Sequence, residues 1–210
     1  MKLKTAVVII GAALALPSFP ALAESTSAVG GAGASTSARL DFQLTIPKFL
    51  RLRVGSTAGT IDQITFSPTV AQLATSPSTV VSGASGDLGG GAVTVRVQAN
   101  PGTDVVNLTY RTTDSAGAAR AALSDGTNTV PWSTIKVATA GADAASLTHP
   151  AALADGSAAD VNVVAPVPKL AGAINLSATW TYTWNDGGVI YAASAAGGYT
   201  GRVAYKLATP

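Results

Sequence analysis

The 210-residue sequence has no cysteine, a single histidine and a charged fraction of only 11%. Without cysteine the chain has no disulfide and no thiolate ligand for a metal, so its stability must come from sheet hydrogen bonds and buried apolar surface, or from a partner. His149 is the only imidazole available to a Ser-His-Asp site, and no G-x-S-x-G sequence accompanies it. We therefore expect no catalytic residue, and we place His149 in a polar loop where its replacement by alanine leaves the fold unchanged.

Acidic residues that could hold a metal are also scarce. Glu24 is the only glutamate, and aspartates such as Asp125, Asp155 and Asp186 each precede a glycine, which is typical of turns. No D-x-D-x-D-G loop is present, so a calcium site is not indicated. We predict no metal site and no cofactor.

The one long apolar run lies at the N-terminus. Residues 6–16 follow Lys2 and Lys4 and precede Ala21-Leu22-Ala23. A basic start, a short apolar run and a small-residue cleavage pattern are the parts of a signal peptide, and the run is too short to span a bilayer. We predict that residues 1–23 are a signal peptide, that the mature chain begins at Glu24 and that it is exported through the inner membrane.

The mature chain has no excess charge. Without Lys2 and Lys4, eleven basic residues face eleven acidic residues. No basic stripe with interleaved aromatic residues is visible, so nucleic acid is not an expected partner.

What the sequence does contain is alternation of apolar and polar residues with period two, which is typical of strands with one buried face. Residues 24–37 are small and polar and predict a flexible tail. Residues 40–46 then alternate up to Pro47, and residues 49–54 alternate again. The first of these two segments is either the first strand of its own domain or a strand that leaves it.

The longest alternating stretch is residues 174–184, with Trp180, Tyr182 and Trp184 on one face. We interpret it as a strand that turns at residues 185–188, returns over residues 189–193 and is joined by a last strand over residues 199–207, all in one sheet. The three aromatic residues would either pack in a core or stack against sugars. Serine and threonine on the opposite face favour the core.

Residues 92–112 predict a hairpin that turns at Asn100-Pro101-Gly102. Together with the other alternating segments, the chain holds about eight to ten short strands separated by turn signals, with no sustained helical period. This pattern predicts an all-β fold, an immunoglobulin-like β-sandwich over residues 38–210.

Both ends of the chain resemble an exported fimbrial subunit of the chaperone–usher kind. The C-terminal resemblance is a glycine fourteenth from the end followed by alternating residues, namely Gly197, Tyr199, Val203, Tyr205 and Leu207. The N-terminal resemblance is the alternating set Leu40, Phe42, Leu44 and Ile46. Two features depart from the family's pattern, because the chain lacks cysteine and has Thr209 where many such subunits have tyrosine.

The resemblance implies a structural subunit of a bacterial surface fibre. Its implied partners are other copies of itself or related subunits, a periplasmic chaperone and an usher, with passage through the periplasm to the cell surface. It also implies assembly by strand exchange, with Leu40, Phe42, Leu44 and Ile46 as the donated or first strand. Two alternatives stay open, a secreted carbohydrate-binding or adhesive sandwich with a host or surface glycan as ligand, and a small outer-membrane β-barrel.

Overall fold

The structure is a computed structural model that describes residues 26–210, except residues 58, 60, 75–79, 157–158 and 196. The predicted signal peptide lies outside the described residues. The chain divides into two units, Met1–Ile46 and Pro47–Pro210. Within the described part of the chain, no helix is long and apolar enough to cross a membrane.

In the first unit, residues 26–46 are described and every one of them is exposed. A turn is closed by the Ala34 amide, which donates to the Gly31 carbonyl at 3.2 Å, and the hydroxyls of Thr26 and Thr36 lie 2.6 Å apart. Residues 40–46, predicted to be extended and paired, belong to no strand. An isolated strand is marginal in water, so alternation alone does not produce a strand without a neighbour.

The second unit is all-β, as predicted. Its described strands are β1 Phe49–Val54, β2 Ile64–Thr65, β3 Val80–Ser82, β4 Ala84–Ser85, β5 Ala92–Asn100, β6 Asn107–Thr113, β7 Ala122–Ser124, β8 Thr129–Pro131, β9 Ile135–Ala140, β10 Val161–Val164, β11 Ile174–Asn185 and β12 Arg202–Ala208. One short helix, α1 (Val70–Leu73), and one 3-10 turn, Trp132–Thr134, lie between them.

The larger sheet is centred on β5 and β11, which pair antiparallel from Ala99 opposite Ile174 to Ala92 opposite Thr181. β1 pairs with the other edge of β5, and β9 pairs with the other edge of β11. β3 continues along β11 beyond the end of β5. Gly91 permits this continuation, because a Cβ there would stand 2.6 Å from the carbonyl oxygen of Tyr182.

The smaller sheet has the order β10-β6-β12, with both neighbours antiparallel to β6. The predicted hairpin over residues 92–112 is therefore wrong in its pairing. Both strands form, but β5 lies in the larger sheet and β6 in the smaller one. Local alternation specifies which face of a strand is buried and leaves its neighbour unspecified, so the two strands could join different sheets.

The C-terminal arrangement also differs from the prediction. β11 matches the predicted strand closely, but residues 189–193 form no strand. The last strand, β12, pairs with β6 in the smaller sheet. The chain therefore passes from one sheet to the other between Asn185 and Arg202, where we predicted a hairpin within a single sheet.

Side chains of both sheets meet in one hydrophobic core. The aromatic face of β11 is buried there, with Trp180 at 0%, Tyr182 at 6% and Trp184 at 9% exposure. Tyr110 and Leu108 enter the same core from β6. The expectation that the three β11 aromatics pack inside the protein is confirmed.

Candidate assembly site

One edge strand of the larger sheet carries inward apolar side chains that are incompletely covered. These side chains of β1 stand opposite fully buried residues of β5, in the pairs Leu50–Ala99, Leu52–Val97 and Val54–Val95. Directly opposite residues of an antiparallel pair share one face of the sheet, so the three β1 side chains point to the core. Leu50 nevertheless remains 41% exposed, and Leu52 and Val54 are only partly buried.

β12, an edge strand of the smaller sheet, also carries inward side chains that are incompletely covered. Its inward side chains also stand opposite fully buried residues, in the pairs Val203–Thr112, Tyr205–Tyr110 and Leu207–Leu108. Val203, Tyr205 and Leu207 themselves are only partly buried. Inward side chains are therefore incompletely covered on both β1 and β12.

These two edges lie close together without pairing. Residues of β1 and β12 approach within 8 Å, Cα to Cα, yet among the described strands β1 pairs only with β5 and β12 only with β6. We call the region between the unpaired edges of β1 and β12 the open slot. Two strands that flank a third stand about 9.5 Å apart, so the slot would have to widen to admit one strand.

The predicted C-terminal assembly residues divide into two groups. Val203, Tyr205 and Leu207 lie on β12 and line the open slot. Gly197 lies in a preceding turn with a φ of +107°, and the Tyr199 hydroxyl donates to the carbonyl of Ala192 at 2.9 Å. Gly197 and Tyr199 therefore precede β12, which begins only at Arg202.

The predicted donor residues Leu40, Phe42, Leu44 and Ile46 expose large apolar side chains. Their exposed fractions run from 61% for Leu40 to 89% for Phe42. Exposing four alternating apolar side chains on one segment is unfavourable in water unless a partner covers them.

The outward face beside the slot is basic. Arg51 on β1 points away from the core, as does Lys206 on β12, which lies 3.3 Å from Asp160. Hydrogen bonding to Arg111, at 2.7 Å, and to Lys206 lowers the pKa of Asp160. Among residues 40–46 the only charged residue is Asp41, and its charge is opposite to that of Arg51.

Behind β12, the structure places His149 in the core, which corrects the prediction of a solvated loop histidine. Its exposure is 3%, its ring stacks on Tyr110 with centroids 5.2 Å apart and meets the edge of Trp180 at 4.7 Å. The sequence around His149 is polar and alanine-rich, so nothing local signalled this burial.

The hydrogen bonds around His149 have a defined direction. Nδ1 lies 2.8 Å from the carbonyl of Pro150, and because a carbonyl only accepts, Nδ1 carries the proton. Nε2 then accepts from the Tyr205 hydroxyl at 3.0 Å, and the Tyr205 oxygen accepts from the Tyr182 hydroxyl at 2.7 Å. This chain of bonds ties β12 to β11 across the two sheets.

Burial has the expected electrostatic effects on this cluster. It lowers the pKa of His149 to about 4, partly opposed by the hydrogen bond to Pro150. It raises the pKa values of Tyr182 and Tyr205. The cluster is therefore uncharged at neutral pH, as a core requires.

Other kinds of site have little support in the geometry. A sugar-stacking platform on β11 would need exposed Trp180 and Trp184, and both are buried. In the part of the chain that the structure describes, no group of three His, Cys, Asp or Glu side chains could hold a metal ion.

The open slot is thus the candidate site. The predicted residues Val203, Tyr205 and Leu207 lie on its β12 side, and their role in assembly stays a prediction. Leu50, Leu52 and Val54 on its β1 side were not among the predicted site residues, although their alternation is visible in the sequence. In the comparisons with known proteins, no family model, no curated protein and no solved structure matches this chain.

Proposed function

We propose that this chain is the structural subunit of a bacterial surface fibre, an immunoglobulin-like β-sandwich that lacks one strand and receives it from a neighbouring copy. The observation that carries the proposal is the open slot, where two neighbouring edges leave inward apolar side chains partly uncovered. A strand added to an unpaired edge gains main-chain hydrogen bonds and places alternate side chains in the core.

Residues 40–46 supply a strand of the required chemistry. Leu40, Phe42, Leu44 and Ile46 occur at the spacing that puts all four on one face. The intervening Asp41, Gln43 and Thr45 would then face outward.

The free energy of burial is of the same order as the cost of ordering the segment. Burying four large apolar side chains contributes roughly 6 to 12 kcal/mol before the ordering entropy of the segment is subtracted. The loss of backbone and side-chain freedom, about 1 to 2 kcal/mol per residue, offsets much of this gain, and the main-chain hydrogen bonds of the added strand contribute to the balance. What remains would decide between a dissociated subunit and a stable fibre.

The proposal includes the route of export. The subunit would cross the inner membrane with the signal peptide, pass through the periplasm and end at the cell surface. A periplasmic chaperone would cover the same open slot during transit, because uncovered apolar edges aggregate. An usher would then exchange the chaperone for the next subunit.

The first test compares Phe42→Asp with Gln43→Asp in the mature chain. Phe42→Asp puts a carboxylate on the apolar face and should abolish polymers, whereas Gln43→Asp adds the same charge on the polar face and should leave them. Size-exclusion chromatography and electron microscopy of the two variants and the wild type give the readout.

The monomer provides the control for that experiment. Circular dichroism and urea unfolding of each variant should match the wild-type monomer, because residues 40–46 are exposed in the structure. If Phe42→Asp instead unfolds the isolated monomer, residues 40–46 belong to their own core and the proposed strand exchange is wrong.

A further inference from the structure

We propose that the outer face of the larger sheet binds an acidic polysaccharide, with a carboxylate group of the sugar chain held between Arg51 of β1 and Arg96 of β5. The proposal goes beyond the fibre function and does not depend on the open slot, because these side chains point away from the core. On β11, the same face is opposite to the one that carries the buried Trp180 ring.

The strand register brings three arginines together on this outer face. Arg53 stands directly opposite Arg96, and Arg51 stands opposite Gln98, two residues further along β5. Diagonal neighbours stand about 7 to 8 Å apart, within reach of long side chains, so Arg51 and Arg96 can contact the same ligand. Because like charges directly opposite each other destabilise a sheet, a bound anion would offset a repulsion that the fold carries here.

The acidic side chains that border this face leave two of the arginines unpaired. Asp87 lies 3.6 Å from Arg53, and Asp143 accepts a hydrogen bond from a backbone amide of β11 at 2.8 Å. Arg51 and Arg96 are exposed, and neither forms an ion pair within the described part of the chain. Their guanidinium groups are therefore available to an anion from solution.

Asn175 of β11 adds a third donor to the site. It stands opposite Gln98, and its Oδ1 accepts from the Gln98 amide at 3.2 Å and from the Arg96 guanidinium at 3.5 Å. Its Nδ2 has no acceptor among the described residues. Two guanidinium groups and one amide nitrogen thus offer donors to a carboxylate, which only accepts and which matches the fork of an arginine.

The surroundings of these donors suit a sugar chain. The hydroxyls of Thr94, Ser177 and Thr179 lie on the same face and can both donate to and accept from sugar hydroxyls. Phe49 precedes Arg51 by two residues on this face and is 50% exposed, so its ring can stack on a sugar. An open sheet face fits an extended chain, since small molecules are normally bound in concave pockets.

A membrane surface and a nucleic acid fit this face less well. Interfacial membrane binding needs several large apolar side chains beside the cations, and Phe49 is the one such residue near Arg51 on the described outer face. Nucleic acids bind through many phosphate contacts or through a series of aromatic side chains. Two unpaired arginines and one aromatic ring supply neither.

The experiment measures binding of dilute, monomeric mature protein to immobilised polygalacturonate, whose sugars carry carboxylate groups, and to neutral dextran. Surface plasmon resonance at physiological ionic strength gives the dissociation constants. The site variant is the double substitution Arg51→Gln, Arg96→Gln, which removes both guanidinium groups and keeps the polarity of the two positions.

The matched control is the double substitution Lys136→Gln, Arg202→Gln, which removes the same number of charges elsewhere. Lys136 stands opposite Thr183, six residues along β11 from Ser177 and roughly 20 Å from the site. Arg202 lies on the smaller sheet. Net charge is therefore equal in the two double variants, and only the position of the lost charges differs.

We expect the wild type to bind polygalacturonate and not dextran. The site variant should bind at least about tenfold more weakly, because it loses two charge-assisted contacts, whereas the control should stay within about threefold of the wild type, because distant charges are screened. Urea unfolding separates binding from folding. Arg96→Gln alone relieves the repulsion with Arg53, so the free energy of unfolding should be unchanged or higher.

Three results would overturn the proposal. The first is absence of wild-type binding to polygalacturonate, and the second is an equal loss in the site and control variants, which would show an effect of net charge only. The third is tighter binding through Arg51 and Arg96 to phosphatidylglycerol vesicles or to single-stranded DNA than to polygalacturonate. Polymer formation through Phe42 enters none of these measurements, so the fibre function and this proposal can fail separately.

Discussion

His149 shows how a single residue can be misjudged from its sequence neighbours. Its flanking residues are small and polar, yet its ring lies among Tyr110, Trp180, Tyr182 and Tyr205 in the core. Replacing it by alanine would leave a cavity and would remove the acceptor of the Tyr205 hydroxyl, whose remaining partner is Tyr182. Our expectation that this substitution leaves the fold unchanged is therefore wrong on the geometry.

The residue-scale prediction concerns pH. Burial lowers the folded-state pKa of His149 to about 4, from its ordinary value of 6.5. The unfolded chain therefore binds the proton more readily. The contribution of neutral His149 to the free energy of unfolding is fully present above about pH 6.5 and is lost as pH falls toward 4. The loss amounts to about 3 kcal/mol. Urea unfolding at pH values from 7.5 to 4 measures this loss.

The control for that titration is His149→Gln, which keeps a polar side chain but cannot take up the proton. The variant should be less stable at pH 7.5 because it fills the core less well. Its stability should change less than the wild type's between pH 6.5 and 4. Equal pH dependence in both proteins would show that other groups cause it.

At the scale of an element, β12 is held from three directions. It pairs with β6 along its whole length, the Tyr205 hydroxyl joins it to His149 and Tyr182, and Gly201 brings its start against the Trp132 ring. These contacts position the strand although its other edge is unpaired among the described strands. The slot is consequently lined by a strand that is already in place.

The prediction at the scale of an element is that Gly201→Ala destabilises the protein. A Cβ at this position would overlap the ring of Trp132 and meet a methyl group of Leu123 at 3.0 Å. Because Trp132 is buried and its indole donates to the Arg120 carbonyl at 3.1 Å, the ring has little room to move. We expect a loss of about 1 to 3 kcal/mol in the free energy of unfolding.

Gly31→Ala is the matched control for Gly201→Ala. A Cβ at Gly31 has no atom within 4 Å, so the free energy of unfolding should change by less than about 0.5 kcal/mol. Urea denaturation of both variants gives the comparison. Equal stability of Gly201→Ala and the wild type would show that β12 tolerates displacement at its start.

At the scale of the whole molecule, the buried core belongs to the unit Pro47–Pro210. Residues 26–46 contribute no buried residue. The charged fraction of the chain is low, which gives little electrostatic repulsion between copies. Such a composition is compatible with close packing of subunits in a fibre.

The prediction at the scale of the whole molecule concerns a truncated mature chain that lacks residues 24–46. Since these residues contribute no described burial, the free energy of unfolding of the monomer should change by less than about 0.5 kcal/mol. The same truncation should abolish polymers, because it removes the proposed donor. Urea unfolding and light scattering measure the two effects. Loss of cooperative unfolding would mean that the removed segment completes its own domain.

The sequence by itself determined the local features of this protein. Period-two alternation located β1, β5, β6 and β11 and showed that the Trp180 face is buried, because the alternation of a strand is visible in consecutive residues. The all-β character followed from the repetition of such segments. The exposed apolar face of residues 40–46 could be identified in the same way.

Only the tertiary structure decided which strands are neighbours. It separated β5 from β6, moved β12 into the smaller sheet, buried His149 and brought the edges of β1 and β12 together to form the open slot. These outcomes depend on contacts between residues far apart in the chain. Alternation specifies the buried face of each strand, but the pairing of one strand with another depends on how all faces fill a common core.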